Sequence, residues 1–341
     1  MAGAASSNTS SGKWNDFSRD STFFDRTPAI SYRQTPRRET RGYRRALVNK
    51  FTCMPPLTPV VKNLIIINVV VFAALYLLPY LGIDTGNLAD NLALRYPTSD
   101  DFRPYQLVSH FFVHGGLTHI FLNMFGLYMF GPLVERRYGS QRFLLLYLVA
   151  AAGAVALHFG WTWYEIHSLD NILADFRTQP GLASFEQFFA HIDTKSLSLD
   201  NGTPVSRVVG EIKSDLVLQS ADRAAAQQYA EVIMQDYLDF KVSVPMVGAS
   251  GAIYGIVAAF AILHPNLPLM LIFLPIPIKA KIFVPLVLLV DLVMGVMQFS
   301  WDPVAHFAHL GGALAGGLLA YLWYRTDPPA GTQRWDRGVP R

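Results

Sequence analysis

Ser250 opens an apolar stretch in Gly248-Ala249-Ser250-Gly251, and His309 lies in a second one, in Ala308-His309-Leu310-Gly311-Gly312. A polar side chain in hydrocarbon costs on the order of a few kcal/mol unless it is paired or wetted, so a serine and a histidine there mark a functional site. Their chemistry is serine-type hydrolysis: a neutral imidazole takes the hydroxyl proton and returns it to the leaving amine. Ser250 stands a few residues from Pro245, shallow enough for water from the outer side to reach it. Gly248, Gly251 and Gly255 strip side chains from one helix face, and Gly311, Gly312, Gly316 and Gly317 do the same beside His309. Small residues let membrane helices approach closely, which makes a Ser-His hydrogen bond sterically possible. Taken alone, the Ser250 segment reads equally well as a glycine-rich packing face. Tyr254 follows Ser250 by one turn, rotated by about 40°, where its ring can stack on an imidazole. His306, three residues before His309, competes for the same role and is assigned to the outer rim.

Acyl transfer also needs donors for the developing oxyanion. His119 and Asn123, in His119-Ile120-Phe121-Leu122-Asn123, fall on one helix face, and the backbone N–H of Ser250 is a third candidate. As a lone pair, His119 and Asn123 also suit an interhelical hydrogen bond that only holds a bundle together. His110 and His114 share the i, i+4 spacing of metal ligands, but no HExxH motif or third ligand accompanies them, so no metal is expected. Asp291 is the one clear carboxylate in an apolar stretch, too few for an aspartyl dyad. It is expected to be a buried, hydrogen-bonded carboxyl or one beside a water cavity, with no assigned role.

The elements that must position these residues are membrane helices. Of 341 residues, 51% are hydrophobic and 16% charged, and the mean hydropathy is +0.26. That composition describes a polytopic membrane protein with polar appendages. Stretches long enough to cross a hydrocarbon core of about 30 Å recur at 61–82, 107–134, 140–161, 246–264, 281–299 and 303–324, predicting an all-α bundle of six spans. Residues 1–60 form a basic, disordered segment without a signal-type apolar run, so the first span itself directs insertion. Residues 61–161 hold the first three spans, 162–245 a polar insertion with the character of a small helical subdomain, 246–324 the last three spans, and 325–341 a tail. The single cysteine, Cys53, sits in a polar flank and is read as inert.

Charge orients the bundle, since short cytoplasmic loops carry an excess of Lys and Arg. Residues 1–62 hold 11 basic and 4 acidic side chains, whereas 83–106 hold 4 acidic and 2 basic and 162–245 hold 12 acidic and 6 basic. Arg136, Arg137 and Arg142, then Lys279 and Lys281, then the tail add basic groups on the first side. Both termini are therefore expected in the cytoplasm, with the insertion outside.

These motifs together resemble the rhomboid family of intramembrane serine proteases, from about Pro55 to Tyr324 with the insertion interrupting. The family's GxSG motif corresponds to Gly248 to Gly251, its histidine motif to Ala308 to Gly312, and its HxxxN pair to His119 and Asn123. Phe102-Arg103-Pro104-Tyr105-Gln106 is similar to its first loop, and Glu135-Arg136-Arg137-Tyr138-Gly139 to its turn after the second span. The resemblance implies Ser250 as nucleophile, His309 as general base and acid, His119 and Asn123 as oxyanion stabilisers, and Tyr254 as the aromatic packed on the histidine. Gly248, Gly251 and Gly312 would serve close helix packing. It also implies a dyad without an acidic third member, which fits the lack of an aspartate near His309 other than Asp302. No cofactor is implied, and the partners would be transmembrane protein substrates and the lipid bilayer, with no nucleic acid. The insertion departs from the family plan and is either a functional appendage or a tolerated surface element. Two rivals are a non-catalytic rhomboid-like protein that binds client helices, and a transporter, which would show related halves that this sequence lacks. The simple span plan points to a bacterial plasma membrane.

Overall fold

The computed structural model of the chain describes residues 56–83, 85, 87–199, 201–217, 223–271, 274–298, 302 and 304–327. The basic N-terminal segment up to residue 55, with Cys53, and the tail from 328 lie outside the described residues.

The first helix, α1 (Pro59–Leu77), starts on a proline whose missing N–H is one of the orphans of a first turn. Two other first-turn donors, the N–H groups of Val60 and Val61, meet the two oxygens of Glu135 at 3.0 Å each. The same carboxylate accepts from Ser140 Oγ at 2.6 Å and is buried. A short 3-10 turn, then α2 (Leu88–Leu92) and α3 (Gln106–Ser109), form the loop that follows. Gln106 organises it: its Oε1 accepts from the N–H groups of Arg95 and Arg103, and its Nε2 donates to the carbonyls of Asn91 and Asp101. With all of its amide capacity used, this side chain can be 1% exposed without penalty. The loop thus takes residues 106–112, and the next helix, α4 (Leu117–Tyr138), begins ten residues later than the hydropathy start at 107 suggested.

Gly139, at φ 81°, ends α4 and turns the chain straight into α5 (Ser140–Thr178). At 39 residues α5 is about 58 Å long, nearly twice the thickness of a hydrocarbon core. The span expected at 140–161 is only its first half. Its second half packs with α6 (Leu182–Phe189), α7 (Val205–Val217) and α8 (Arg223–Ser243) around Phe176, Phe185, Phe188, Ile212, Ile233 and Met234. This second apolar core is separate from that of the bundle. Glu165, on the extension of α5, ties three elements: it pairs with Lys241 of α8 at 3.1 Å and accepts from Gln298 at the C-terminal end of α10.

The chain re-enters the bundle as α9 (Ser250–Leu263), then forms an antiparallel hairpin, β1 (Pro268–Leu271) and β2 (Leu274–Lys279). This hairpin corrects the all-α reading: the chain is mostly helical, but Pro265, Pro268, Pro275 and Pro277 keep the connection extended, as proline disfavours helix for itself and its predecessor. Two more helices follow, α10 (Ala280–Met297) and α11 (His306–Thr326). Among the described residues four helices, α1, α4, α5 and α10, are long and apolar enough to cross a membrane, and α9 is a shorter apolar helix of 14 residues. The outward faces of α1 and α10 expose Ile66, Val69, Val70, Leu286, Leu289 and Val293, the inversion expected where lipid is the solvent.

Inside the bundle, α11 is wedged between α5 and α9. Contact is close enough that a Cβ on Gly312 would stand 1.9 Å from the carbonyl oxygen of Gly251, and one on Gly316 2.6 Å from the Cα of Gly255. The glycine stripes do not all face one partner, however. Gly311 lies against Gly153 and Leu157 of α5, so α11 uses two glycine faces rather than one.

Candidate active site

Ser250 is the first residue of α9, preceded by Gly248 at φ 106°, a conformation open to glycine. Two backbone contacts seat this entry: Leu94 and Met246 exchange hydrogen bonds of 2.9 and 2.8 Å, and the N–H of Gly248 donates to the carbonyl of His110 at 2.9 Å. The loop after α1 therefore fixes the turn that presents Ser250. Being at a helix start, Ser250 carries one of the backbone N–H groups that no helical carbonyl can satisfy.

Its side chain meets α11. Ser250 Oγ lies 2.8 Å from His309 Nε2, and His309 is buried at 8% exposure. The Tyr254 ring stacks on the His309 ring with centroids 4.1 Å apart and planes 9° from parallel. His119 and Asn123, set by the sequence on a third helix, reach the same turn from α4. A Cβ placed on Gly248 would lie 2.6 Å from His119 Nε2 and 3.4 Å from Asn123 Nδ2. The N–H of Gly115 donates to His119 Nδ1 at 3.3 Å, so the neutral ring carries its proton on Nε2, directed at the Gly248 turn. Asn123 Nδ2 is buried with no acceptor among the described residues. Two side-chain donors thus converge on the Gly248 turn that leads into Ser250.

The surroundings of His309 correct the sequence reading. An aspartate does stand beside it: Asp291 Oδ1, from α10, is 3.2 Å from His309 Nδ1. His306, read as a rim residue, is the first residue of α11, with Nδ1 2.6 Å from the same Asp291 oxygen and Nε2 2.8 Å from Asp302 Oδ2. Asp302 bonds His306, not His309. The signal for Asp291 was present, since an intramembrane carboxylate is itself a functional marker. What composition did not show is Gly295, one turn on, whose missing Cβ lets α10 close on His306 and Phe307. Asp291, His306 and His309 also form a group of three potential metal ligands within 4.8 Å of one another. Within that group the 2.6 and 3.2 Å nitrogen–oxygen separations are hydrogen-bond distances.

His110 and His114 are both 2% exposed. His110 Nδ1–H donates to the carbonyl of Gln106 at 2.6 Å, and burial holds its pKa down to about 4. It is a buried neutral strut of the loop. A cavity of about 380 Å³ is lined among others by Tyr96, Trp161, Glu165, Tyr237, Lys241, Asp302 and His306. His306 lines it, whereas Ser250 and His309 do not.

The sequence model of the Rhomboid domain matches residues 101–165 and 202–326, more than half of the chain. The chain belongs to the rhomboid family. It is 35% identical over 85 residues to Rhomboid protease GlpG of Haemophilus influenzae, a match covering 24% of this chain and 44% of that protein. It is 26% identical over 232 residues to an uncharacterized mitochondrial rhomboid protein of Schizosaccharomyces pombe, covering 65% of this chain and 52% of the relative. Rhomboid-like protein 16, chloroplastic, of Arabidopsis thaliana is 36% identical over 94 residues, 28% of each chain. The matches thus span about half or less of these relatives. A multi-pass membrane protein follows from the family and the four long apolar helices. The bacterial plasma membrane gains no support from relatives of which two carry organellar names. As a rhomboid, the chain has most of its long α5 extension outside the matched segments, which resume at residue 202.

Proposed function

We propose that this rhomboid is an intramembrane serine endopeptidase that hydrolyses peptide bonds in or beside transmembrane segments. The observation that carries the reading is the 2.8 Å contact between Ser250 Oγ and His309 Nε2, with the ring clamped by Tyr254. In the proposed reaction Ser250 donates its proton to His309 Nε2 while Oγ attacks the scissile carbonyl. The negative charge on the carbonyl oxygen is met by His119 Nε2–H, Asn123 Nδ2–H and the backbone N–H of Ser250, each such donor lowering the barrier by about 2.7 to 4 kcal/mol. His309 then delivers the proton to the leaving amine, leaving an acyl-Ser250 ester. Water, deprotonated by the same imidazole, cleaves the ester and restores the hydroxyl. No cofactor takes part.

The substrate class is membrane-anchored protein, and the bilayer is the second partner. The proposed topology is six spans with α9 and α11 among them, both termini in the cytoplasm and residues 162–245 as an extracytoplasmic subdomain, supported by the basic and acidic loop pattern. A non-catalytic rhomboid that holds client helices without cutting them would share the fold. Purified protein and its Ser250→Ala variant, each reconstituted with a model single-span substrate, separate the two. Cleavage by the first and none by the second is expected, and a substrate bound but uncut by both would leave the binder in place.

A further inference from the structure

Resting on that proteolytic reading, we infer that Asp291 acts as a positioning residue for His309, making a Ser250–His309–Asp291 triad in place of a two-residue site. His309 has two ring nitrogens and, when neutral, one proton between them. To receive the serine proton, Nε2 must be bare, so a neutral ring carries its hydrogen on Nδ1. The Nδ1–H then faces Asp291 Oδ1 at 3.2 Å and donates to it. In the other tautomer a bare Nδ1 would face the carboxylate and lose that bond, while Nε2–H would donate to Ser250 Oγ and could not take its proton. Asp291 therefore selects the tautomer that can act as a base.

Two further observations make the carboxylate a fixed part rather than a passing contact. Asp291 is 6% exposed, and its Oδ1 also takes a 2.6 Å bond from His306, which the loop residue Asp302 holds from the other side. Tyr254, stacked on the His309 ring, also bears electrostatically on the Asp291 carboxyl. The imidazole is thus fixed across its face by an aromatic ring and along its edge by a carboxylate, from two different helices. During acylation the proton leaves Ser250 Oγ for His309 Nε2, the Nδ1 proton stays where it is, and the Asp291 charge faces the imidazolium it helps to stabilise. The proton does not pass to Asp291.

The test compares wild type, Asp291→Asn and Asp291→Ala in detergent, measuring substrate cleavage, the rate of fluorophosphonate labelling at Ser250, and thermal unfolding. The triad predicts that kcat and the labelling rate fall together by about ten- to a hundredfold while KM stays within about twofold, because substrate contacts are untouched. A downfield N–H proton coupled to the Nδ1 of His309 in histidine-labelled wild type is also expected, and this needs no variant. Cleavage and labelling by folded variants within twofold of wild type, or absence of that N–H in wild type, overturns the role of Asp291 while leaving the hydrolytic reading intact. A wild type that neither labels nor cleaves overturns both.

Discussion

Replacing Gly248 with alanine attacks the oxyanion donors without touching Ser250 or His309. The backbone there sits at φ 106°, where a residue with a Cβ is strained by roughly 1–2 kcal/mol. The larger effect is steric. The new carbon would lie 2.6 Å from His119 Nε2 and 2.8 Å from its Cε1, against an ordinary contact of 3.4 Å or more, so the ring must retreat by about 0.8 Å. A donor displaced that far no longer reaches the oxyanion, and losing one donor costs about 2.7–4 kcal/mol in the barrier, or about 10²- to 10³-fold in kcat. KM should change little, because the oxyanion exists only in the transition state. The assay is cleavage of a detergent-solubilised transmembrane substrate, with thermal unfolding as the control for folding. A folded Gly248→Ala protein with kcat within threefold of wild type would refute the placement of His119 as a donor.

Three other outcomes follow from the geometry. Glu135→Ala removes a buried carboxylate that caps the first turn of α1 and accepts from Ser140, so stability in detergent should drop by about 2–4 kcal/mol with no change in the labelling chemistry of the folded fraction. Burial lowers the pKa of His110 to about 4 from 6.5. The unfolded chain therefore takes up this proton first as pH falls: stability is full above about pH 6.5 and is lost progressively down to about pH 4, by an amount on the order of 3 kcal/mol. The buried His114 adds in the same direction, and thermal unfolding followed from pH 8 to 4 measures both; an unfolding temperature flat across that window would contradict the buried neutral state. Tyr254→Phe keeps the ring stacked 4.1 Å from His309 and should retain most activity, while Tyr254→Ala should lose about tenfold in kcat by freeing the imidazole. Equal kcat for the two variants would mean that stacking does not orient His309.

The parts of the site carried by local pattern were legible in the sequence. Ser250 and His309 announced themselves as polar groups in apolar stretches, and Tyr254, His119 and Asn123 followed from helical spacing, so their meeting needed only close helix approach, which the glycines advertised. Asp291 was visible but unplaceable, because nothing in a linear sequence says that α10 closes on the end of α11 at Gly295. The boundary errors have similar causes. Residues 107–112 are apolar enough to count as membrane helix, yet Gln106 ties them into a loop through four hydrogen bonds that hydropathy does not register. The third span overran its apolar half because α5 continues as an amphipathic helix whose second half buries Phe176 and Leu173 in another core. The hairpin at 268–279 was missed where prolines, not hydropathy, decide the backbone.

All of this chemistry requires Ser250 to be a nucleophile made reactive by His309. Intact-mass measurement of fluorophosphonate labelling, on wild type and on His309→Ala with folding verified, tests it most directly. Stoichiometric labelling mapped to Ser250 is expected in wild type and almost none in His309→Ala. Equal labelling of both proteins, or a label on a residue other than Ser250, would contradict it.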